Sequence, residues 1–281
     1  MSKSLIVILI FLPGCLLSQT NIPTSATGPS SATARPFPGT FYAVPWNFQR
    51  VYTPQKPITD TALVNLSATA EDIAIATEFK DDFGRTSETV IRQASPGKKD
   101  YVSAASYDQY GNTGVQYLPF TAQTGNVDDG KFKINPFYQD SVFYKTNFPG
   151  EQVVYGQTFY DGSPLNIPLK TTAPGNSWTG AGIGISYSHR SNTAADSVKL
   201  WTIPVMNEDD VPVVSGNYLP GTMTVLQTTD ERGNISLKYL DALGRTILTK
   251  VQNVASPSTG HYGWLCTYYV YDEMNHLRLV I

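Results

Sequence analysis

Tyr239-Leu240-Asp241-Ala242-Leu243-Gly244-Arg245 sets an aspartate three residues ahead of a glycine, with an aromatic residue shortly before the aspartate. The same spacing recurs at Asp81/Gly84, Asp108/Gly111, Asp230/Gly233 and Asp272/Asn275. Aromatics also precede the aspartate in Phe79-Lys80-Asp81, Tyr107-Asp108 and Tyr271-Asp272. An aspartate that opens a type I turn, followed by a residue in the left-handed conformation, closes a β-hairpin through a bulge. Glycine takes the left-handed position without steric cost, and Asn275 tolerates it. One turn repeated five times speaks of architecture rather than of an active site.

Outward from these turns, short strand-like runs alternate with turn residues at 86–93, 115–120, 152–159, 184–189, 197–203, 223–228, 236–239, 246–251, 265–271 and 277–281. Within 65–78 alanines compete with the alternation of Ile73 and Ile75, and a strand starting near Ile73 is the favoured reading. No long amphipathic helix is expected. Between Asp108 and Asp230 the turn disappears in favour of Asn135-Pro136-Phe137, Ala173-Pro174-Gly175 and Val211-Pro212, which reads as a decorated insertion between two hairpin parts. The expected fold class is mainly β, with short antiparallel hairpins in a multi-stranded sheet.

The chain opens with Lys3, an apolar run over 5–12 and then Pro13-Gly14-Cys15-Leu16-Leu17-Ser18-Gln19, the layout of a secretory signal peptide over 1–18. Leu12-Pro13-Gly14-Cys15 half-matches a lipobox, so two processing routes stay open: lipid attachment at Cys15, or cleavage near Ser18 or Gln19. Residues 19–45, rich in Ser, Thr and Pro, read as a flexible linker to a β-rich domain over 46–281. Processing leaves Cys266 as the one remaining cysteine, so the fold must rest on its apolar core. Its setting in Trp264-Leu265-Cys266-Thr267-Tyr268 favours a buried inert thiol.

A net charge of −3 without a basic stripe argues against nucleic-acid binding. Charged residues make up only 15% of a chain that carries 17 Tyr, 12 Phe and 4 Trp, a balance pointing to an exported, surface-exposed β protein. No catalytic, cofactor or metal site is expected. Turn capping accounts for the five aspartates, and His189, His261 and His276 lie in separate segments without metal-ligand spacing. The acidic stretches Asn126-Val127-Asp128-Asp129-Gly130 and Asn207-Glu208-Asp209-Asp210 lack the calcium-loop register and read as solvated loops. Gly180-Ala181-Gly182-Ile183-Gly184 lacks the register of a phosphate cradle. Trp46, Trp178, Trp201 and Trp264 are candidates for a sugar-stacking face, with core packing as the commoner use of such rings.

Taken in order, Asp81-Asp82-Phe83-Gly84-Arg85, Gln116-Tyr117-Leu118-Pro119-Phe120, Ser163-Pro164-Leu165-Asn166, Val198-Lys199-Leu200-Trp201, Thr229-Asp230-Glu231-Arg232-Gly233-Asn234 and Tyr268-Tyr269-Val270-Tyr271-Asp272 resemble the RHS, or tyrosine-aspartate (YD) repeat, proteins. More narrowly, the chain is similar to the uncharacterised domain preceding the repeats in secreted RHS proteins of Gram-negative bacteria. YD-like turns fall near 79–85, 107–112, 239–245 and 268–278. The resemblance implies a β-shell, often enclosing a toxin in polymorphic toxin systems, and makes downstream RHS repeats the expected partner. Relatives run on where this chain stops at Leu279-Val280-Ile281, so a truncated chain is expected. The leading expectation is a non-enzymatic structural module of an exported surface protein, leading or plugging the shell and touching the membrane only through a lipid anchor. The alternative is a stand-alone surface module that binds glycans.

Overall fold

The computed structural model describes residues 31–38, 47–203 and 212–281. The leader with Cys15, the segment 39–46 with Trp46, and the acidic stretch 207–210 lie outside the described residues. Sixteen strands and one α-helix make up the described chain, with two short 3-10 turns. All strand pairs are antiparallel, so the expected mainly-β class holds.

A five-stranded sheet has the order β1-β2-β3-β4-β6, formed by β1 (Asn47–Pro54), β2 (Ile73–Lys80), β3 (Thr86–Ile91), β4 (Tyr101–Ala104) and β6 (Phe120–Thr121). A nine-stranded sheet has the order β16-β15-β14-β13-β12-β9-β8-β7-β5. Its strands are β5 (Val115–Tyr117), β7 (Tyr155–Tyr160), β8 (Pro168–Thr172), β9 (Ile185–Ser191), β12 (Thr224–Thr229), β13 (Ile235–Leu240), β14 (Thr246–Gln252), β15 (Trp264–Tyr271) and β16 (Leu277–Val280). A separate ribbon pairs β10 (Lys199–Thr202) with β11 (Val213–Asn217). The run 115–120, expected as one strand, is divided between the two large sheets: Leu118-Pro119 carries the chain from β5 to β6. Proline cannot donate to a ladder, so the break falls there.

Two hairpins share one design. In β2–β3 and in β13–β14 the register slips by one residue just before the turn, so that Lys80 pairs Thr86 and Leu240 pairs Thr246. The slip turns two consecutive residues inward, Ser87 with Glu88 in one hairpin and Ile247 with Leu248 in the other. Around the second hairpin, Val225, Tyr239, Leu248 and Tyr268 form the larger core, with Cys266 packed partly buried against it. Around the first, Phe79, Val90, Val102 and Phe120 form a smaller one.

Each hairpin also buries a charge at a different place along the same strand. In the first it is Glu88, where the second has Leu248; in the second it is Lys250, where the first has Val90. Lys250 Nζ donates to the backbone carbonyls of Asp196 at 3.0 Å and Gly260 at 2.6 Å. The Asp196 carboxylate, itself buried, accepts from the Tyr239 hydroxyl at 2.7 Å and is gripped by both terminal nitrogens of Arg190. Burial alone would raise its pKa, but the Arg190 guanidinium and the Thr193 N–H hold this carboxyl far below the usual range.

Two expectations need correction. The turn from Asp108 to Gly111 forms, but it closes no regular hairpin: β4 before it and β5 after it belong to different sheets, and a single isolated bridge, Ser106 with Val115, spans it. The turn is fixed by its own backbone hydrogen bonds, whereas a ladder needs flanking strands that stay side by side, and here they diverge. The stretch beginning Asn135-Pro136-Phe137 is not a connection but the entry to α1 (Pro136–Asn147), with proline in the first turn where its missing N–H costs nothing. Its buried residues include Gln139, Asp140 and Ser141, so the helix carries no apolar stripe for sequence periodicity to find. The stretch read as a decorated insertion shares a sheet with the later hairpins, β7, β8 and β9 running on into β12. Within the stretch read as linker, Arg35 N–H donates to the Tyr155 hydroxyl at 2.9 Å and the Phe37 ring meets Tyr138 edge-on.

Candidate functional site

The five aspartate turns have one geometry. Each aspartate N–H donates to the carbonyl four residues on, and the residue three places on returns an N–H to the aspartate carbonyl; for Asp241 these are 3.1 Å to Arg245 O and 3.0 Å from Gly244 N. One carboxylate oxygen then accepts two backbone N–H groups, in that turn from Leu243 and Arg245, both at 2.9 Å. The same double acceptance occurs at Asp81, Asp108, Asp230 and Asp272. The residue three places on is left-handed in every case, with φ +76° at Gly84, +85° at Gly111, +87° at Gly233, +77° at Gly244 and +66° at Asn275. The Asp108–Gly111 turn thus matches the other four in its backbone, although it lacks their flanking ladder.

The second carboxylate oxygen takes a side chain. Arg85 Nε reaches Asp81 at 2.8 Å and Arg245 Nε reaches Asp241 at 2.7 Å; Asn234 Nδ2 reaches Asp230 at 2.7 Å, and Asn112 Nδ2 reaches Asp108 at a longer 3.4 Å. At Asp272 the partner comes from further along, Arg278 Nε at 2.7 Å. All five carboxyls sit below the ordinary aspartate range, and burial, which works to raise Asp272, is outweighed by the His276 N–H and the Arg278 guanidinium, leaving it at about 2. Both oxygens of each carboxylate are committed to the turn, which leaves no free pair for acid–base chemistry.

The arginines that brace two of these turns also reach across to the next. Arg245 donates from Nη1 to Asn275 Oδ1 at 2.7 Å and lies over the Tyr271 ring at 5.1 Å, so the Asp241 turn holds both the aromatic and the left-handed residue of the Asp272 turn. Arg85 lies 4.2 Å over the Tyr107 ring that precedes Asp108, and a Cβ on Gly111 would stand 3.2 Å from its Nη1. Gly111 therefore serves both its own positive φ and the passage of the neighbouring guanidinium. The aromatic of the Tyr-Asp pair is a seat for the guanidinium of the preceding turn. This contact was not foreseen from the sequence, although the Gly-Arg pair in each donor turn was its signal.

The remaining candidates fall elsewhere. Asn126 to Gly130 wraps the ammonium of a lysine: buried Lys133 Nζ donates to Asp100 at 2.6 Å, to Asp129 at 3.3 Å and to the Asn126 carbonyl. The loop read as solvated thus closes over a buried ion pair, Lys133 with Asp100, while its own Asp128 stays exposed. Glu88 takes the Lys133 backbone N–H at 2.9 Å through one oxygen; its other oxygen has no partner, and burial pushes the carboxyl up to about 8. Asp140 on α1 has neither oxygen partnered and is likewise pushed up to about 8 by burial. His261 Nε2 meets the Tyr268 hydroxyl at 2.6 Å, and His276 lies against Asp272. Among the described residues no three His, Cys, Asp or Glu side chains group closely enough to hold a metal. In the glycine-rich run, a Cβ on Gly184 would meet the Thr171 carbonyl at 2.2 Å, so that residue is dictated by close passage along β8.

The tryptophans do not share a face. Trp201 packs edge-on against Tyr268, and Trp264 Nε1 donates to the Ser258 carbonyl at 2.7 Å. Trp178 alone among the described tryptophans stands out from the surface, 41% exposed, on the loop that joins β8 to β9. It walls two clefts. One, of about 290 Å³, lies toward the stacked rings of Tyr144 and Phe148; the other, of about 510 Å³, lies toward the Asp230 turn.

The architecture is that of an antiparallel β protein braced by aspartate turns. The chain belongs to the family described as the domain of unknown function DUF6443, whose model matches residues 50–191. That match runs from β1 to the end of β9, and so covers the five-stranded sheet, α1 and the Trp178 loop. No curated protein matches the chain.

Proposed function

We propose that this chain is a non-enzymatic structural module of an exported surface protein of the RHS, or YD-repeat, type, leading or plugging a β-shell built from further Tyr-Asp hairpins. The observation that carries the reading is the turn-to-turn brace, in which Arg245 spans from Asp241 to Tyr271 and Asn275. The same contact links two successive pairs of turns, with the earlier turn supplying the arginine and the later one the aromatic, Arg85 with Tyr107 and Arg245 with Tyr271, which supports a brace usable along further Tyr-Asp hairpins. β16 lies at the edge of the nine-stranded sheet with three of its four residues exposed, where a following hairpin would pair. The apolar leader and Cys15 favour export to the cell surface or beyond, with downstream RHS repeats as the partner and any membrane contact made through lipid. Reading the gene past codon 281 in all frames tests this: continuing Tyr-Asp repeats are expected, and a stop with no repeats in any frame overturns it.

A second reading, a surface module that binds glycans on its own, draws on the exposed indole of Trp178. It predicts carbohydrate binding by the full chain whatever follows in the gene.

A further inference from the structure

The Trp178 loop is built with more rigidity than an idle surface loop requires. At its base Asn176, 1% exposed, accepts the N–H groups of Gln152 and Val153 through Oδ1 at 2.9 and 3.1 Å and donates from Nδ2 to the Gly150 carbonyl at 2.9 Å. Its own N–H goes to Glu151 Oε2 at 2.7 Å. Thr179 closes the other side, its hydroxyl 2.7 Å from that of Thr172 and its N–H on the Ala173 carbonyl at 3.1 Å. Trp178 is itself pinned through both backbone groups, its N–H to Gly175 O at 3.2 Å and its carbonyl to Ile183 N at 2.9 Å. Gly175, at φ +125°, lets the ring in: a Cβ there would stand 3.2 Å from Trp178 Cδ1. All of this order fixes the backbone of a residue whose large apolar side chain stays 41% exposed, when burying the rest of it would have been favourable.

The larger cleft beside that ring is mostly polar in its lining residues. It is lined by Trp178 together with Ile183, Ser177, Glu231 and Arg232. The side chains of Ser177, Glu231 and Arg232 make no hydrogen bond or close ion pair among the described residues, although, beside the Asn234 amide, the Arg232 charge helps hold down the neighbouring Asp230 carboxyl, whose oxygens are taken by Arg232 N, Asn234 N and Asn234 Nδ2. A volume of about 510 Å³ lies within the usual range of small-ligand sites, about 300–1,000 Å³. A flat π face, an aliphatic flank, and an exposed cation beside an exposed anion match a ring with a C–H face and a rim of hydroxyls that both donate and accept. The C–H groups carry the positive edge that the indole face attracts, and a carboxylate with a guanidinium can clasp neighbouring hydroxyls. Glu231, with Asp230 next to it and Glu151 behind Trp178 in the smaller cleft, makes the surroundings unfavourable for sulfated or uronic sugars and for phosphate.

We propose that Trp178 is the stacking platform of a binding site for a neutral pyranose oligosaccharide, with Glu231 and Arg232 as its hydroxyl-recognising groups. This rests on the second reading above and gives it a place and a ligand class. It is compatible with a shell-forming module that also binds sugar, because the site lies at the β8–β9 loop and not at the β16 edge.

The test uses the full chain on an array carrying cellohexaose, xylohexaose, mannohexaose and chitohexaose beside sulfated and uronic oligosaccharides, followed by titration of tryptophan fluorescence with any hit. Binding to at least one neutral oligosaccharide is expected, with Trp178→Ala weakening it on the order of tenfold or more and Trp178→Phe keeping most of it. Arg232→Gln, at an exposed turn position, weakens it severalfold at unchanged melting temperature, and serves as the decisive variant where Trp178→Ala does not fold. A neutral hit whose affinity is the same in the folded Trp178→Ala and Arg232→Gln variants overturns the site while leaving glycan binding standing. Hits confined to sulfated or uronic sugars overturn the ligand class, and an array without hits overturns both the site and the reading beneath it.

Discussion

Replacing Asp241 by alanine removes a carboxylate with four partners: the N–H groups of Leu243 and Arg245, each at 2.9 Å, and the Nε and Nη2 of Arg245, each at 2.7 Å. The two backbone donors lose an acceptor much as a helix start loses its cap, which costs about 0.5–2 kcal/mol. The guanidinium pair is partly exposed, with side-chain accessibilities of 27% and 10%, and a pair of that kind contributes roughly 0.2–1 kcal/mol. Freed of Asp241, Arg245 also holds Asn275 and Tyr271 less well, so the loss reaches the next turn. Together these give about 0.7–3 kcal/mol, which corresponds to a fall in melting temperature of roughly 2–12 °C for a domain of this size. Urea unfolding followed by fluorescence should show a lower midpoint at an unchanged slope, since no surface is newly exposed in the native state. Asp241→Asn keeps an oxygen for the two N–H groups but gives up the charge, and should cost about half as much. If Asp241→Ala unfolds within about 0.5 kcal/mol of the parent chain, the carboxylate does not hold the turn and the account of all five turns fails.

A double-mutant cycle on Arg245→Gln and Asn275→Ala should give a coupling of about 0.5–1 kcal/mol, and additive losses would deny the brace between turns. Lys133→Met leaves Asp100 buried without its cation and should cost about 3–5 kcal/mol by denaturant titration; a near-neutral outcome would mean that water reaches this pair. Glu88 and Asp140 are both held well above their unfolded values, at about 8, so between the unfolded and folded values the folded chain binds more protons than the unfolded one. Their contribution is full below about pH 4 and is lost as pH rises through about 8. Melting temperature should therefore fall between about pH 4 and pH 8, and Glu88→Gln should flatten that fall; parallel curves for the two proteins would refute it.

The turn chemistry was legible because it is local: an aspartate, its N–H acceptors and the left-handed residue lie within five positions, and no distant contact is needed to close the loop. The Asp108–Gly111 turn marks the limit of that legibility, since its backbone forms as read while the strands on either side part into different sheets. The strands beside the other turns were legible for a related reason, since inward residues alternate, as at Ile73, Ile75, Thr77 and Phe79 in β2. Where both faces are wet, alternation vanishes. β1 and β11 are exposed along nearly their whole length and had no pattern to announce them. α1 was hidden for the opposite reason, because Gln139, Asp140 and Ser141 occupy its buried face.

The candidate site divides along the same line. That Trp178 belonged to a set of four tryptophans was visible in the sequence, but which ring stands in water was decided by the Asn176-centred loop and by the antiparallel pairing of β9 with β12. That pairing sets Thr229 against Ser186 and so carries the Asp230 turn, with Glu231 and Arg232, to the mouth of the cleft beside Trp178. Lys133 with Asp100, and Lys250 with the carbonyls of Asp196 and Gly260, likewise meet only after the chain has folded, across separations that no local pattern records. The sequence alone determined the turns and most of their hairpins, because those rest on backbone geometry and nearest neighbours. Tertiary structure decided which charges are buried and which aromatic is left exposed, because burial and pairing depend on which surfaces the sheets bring together.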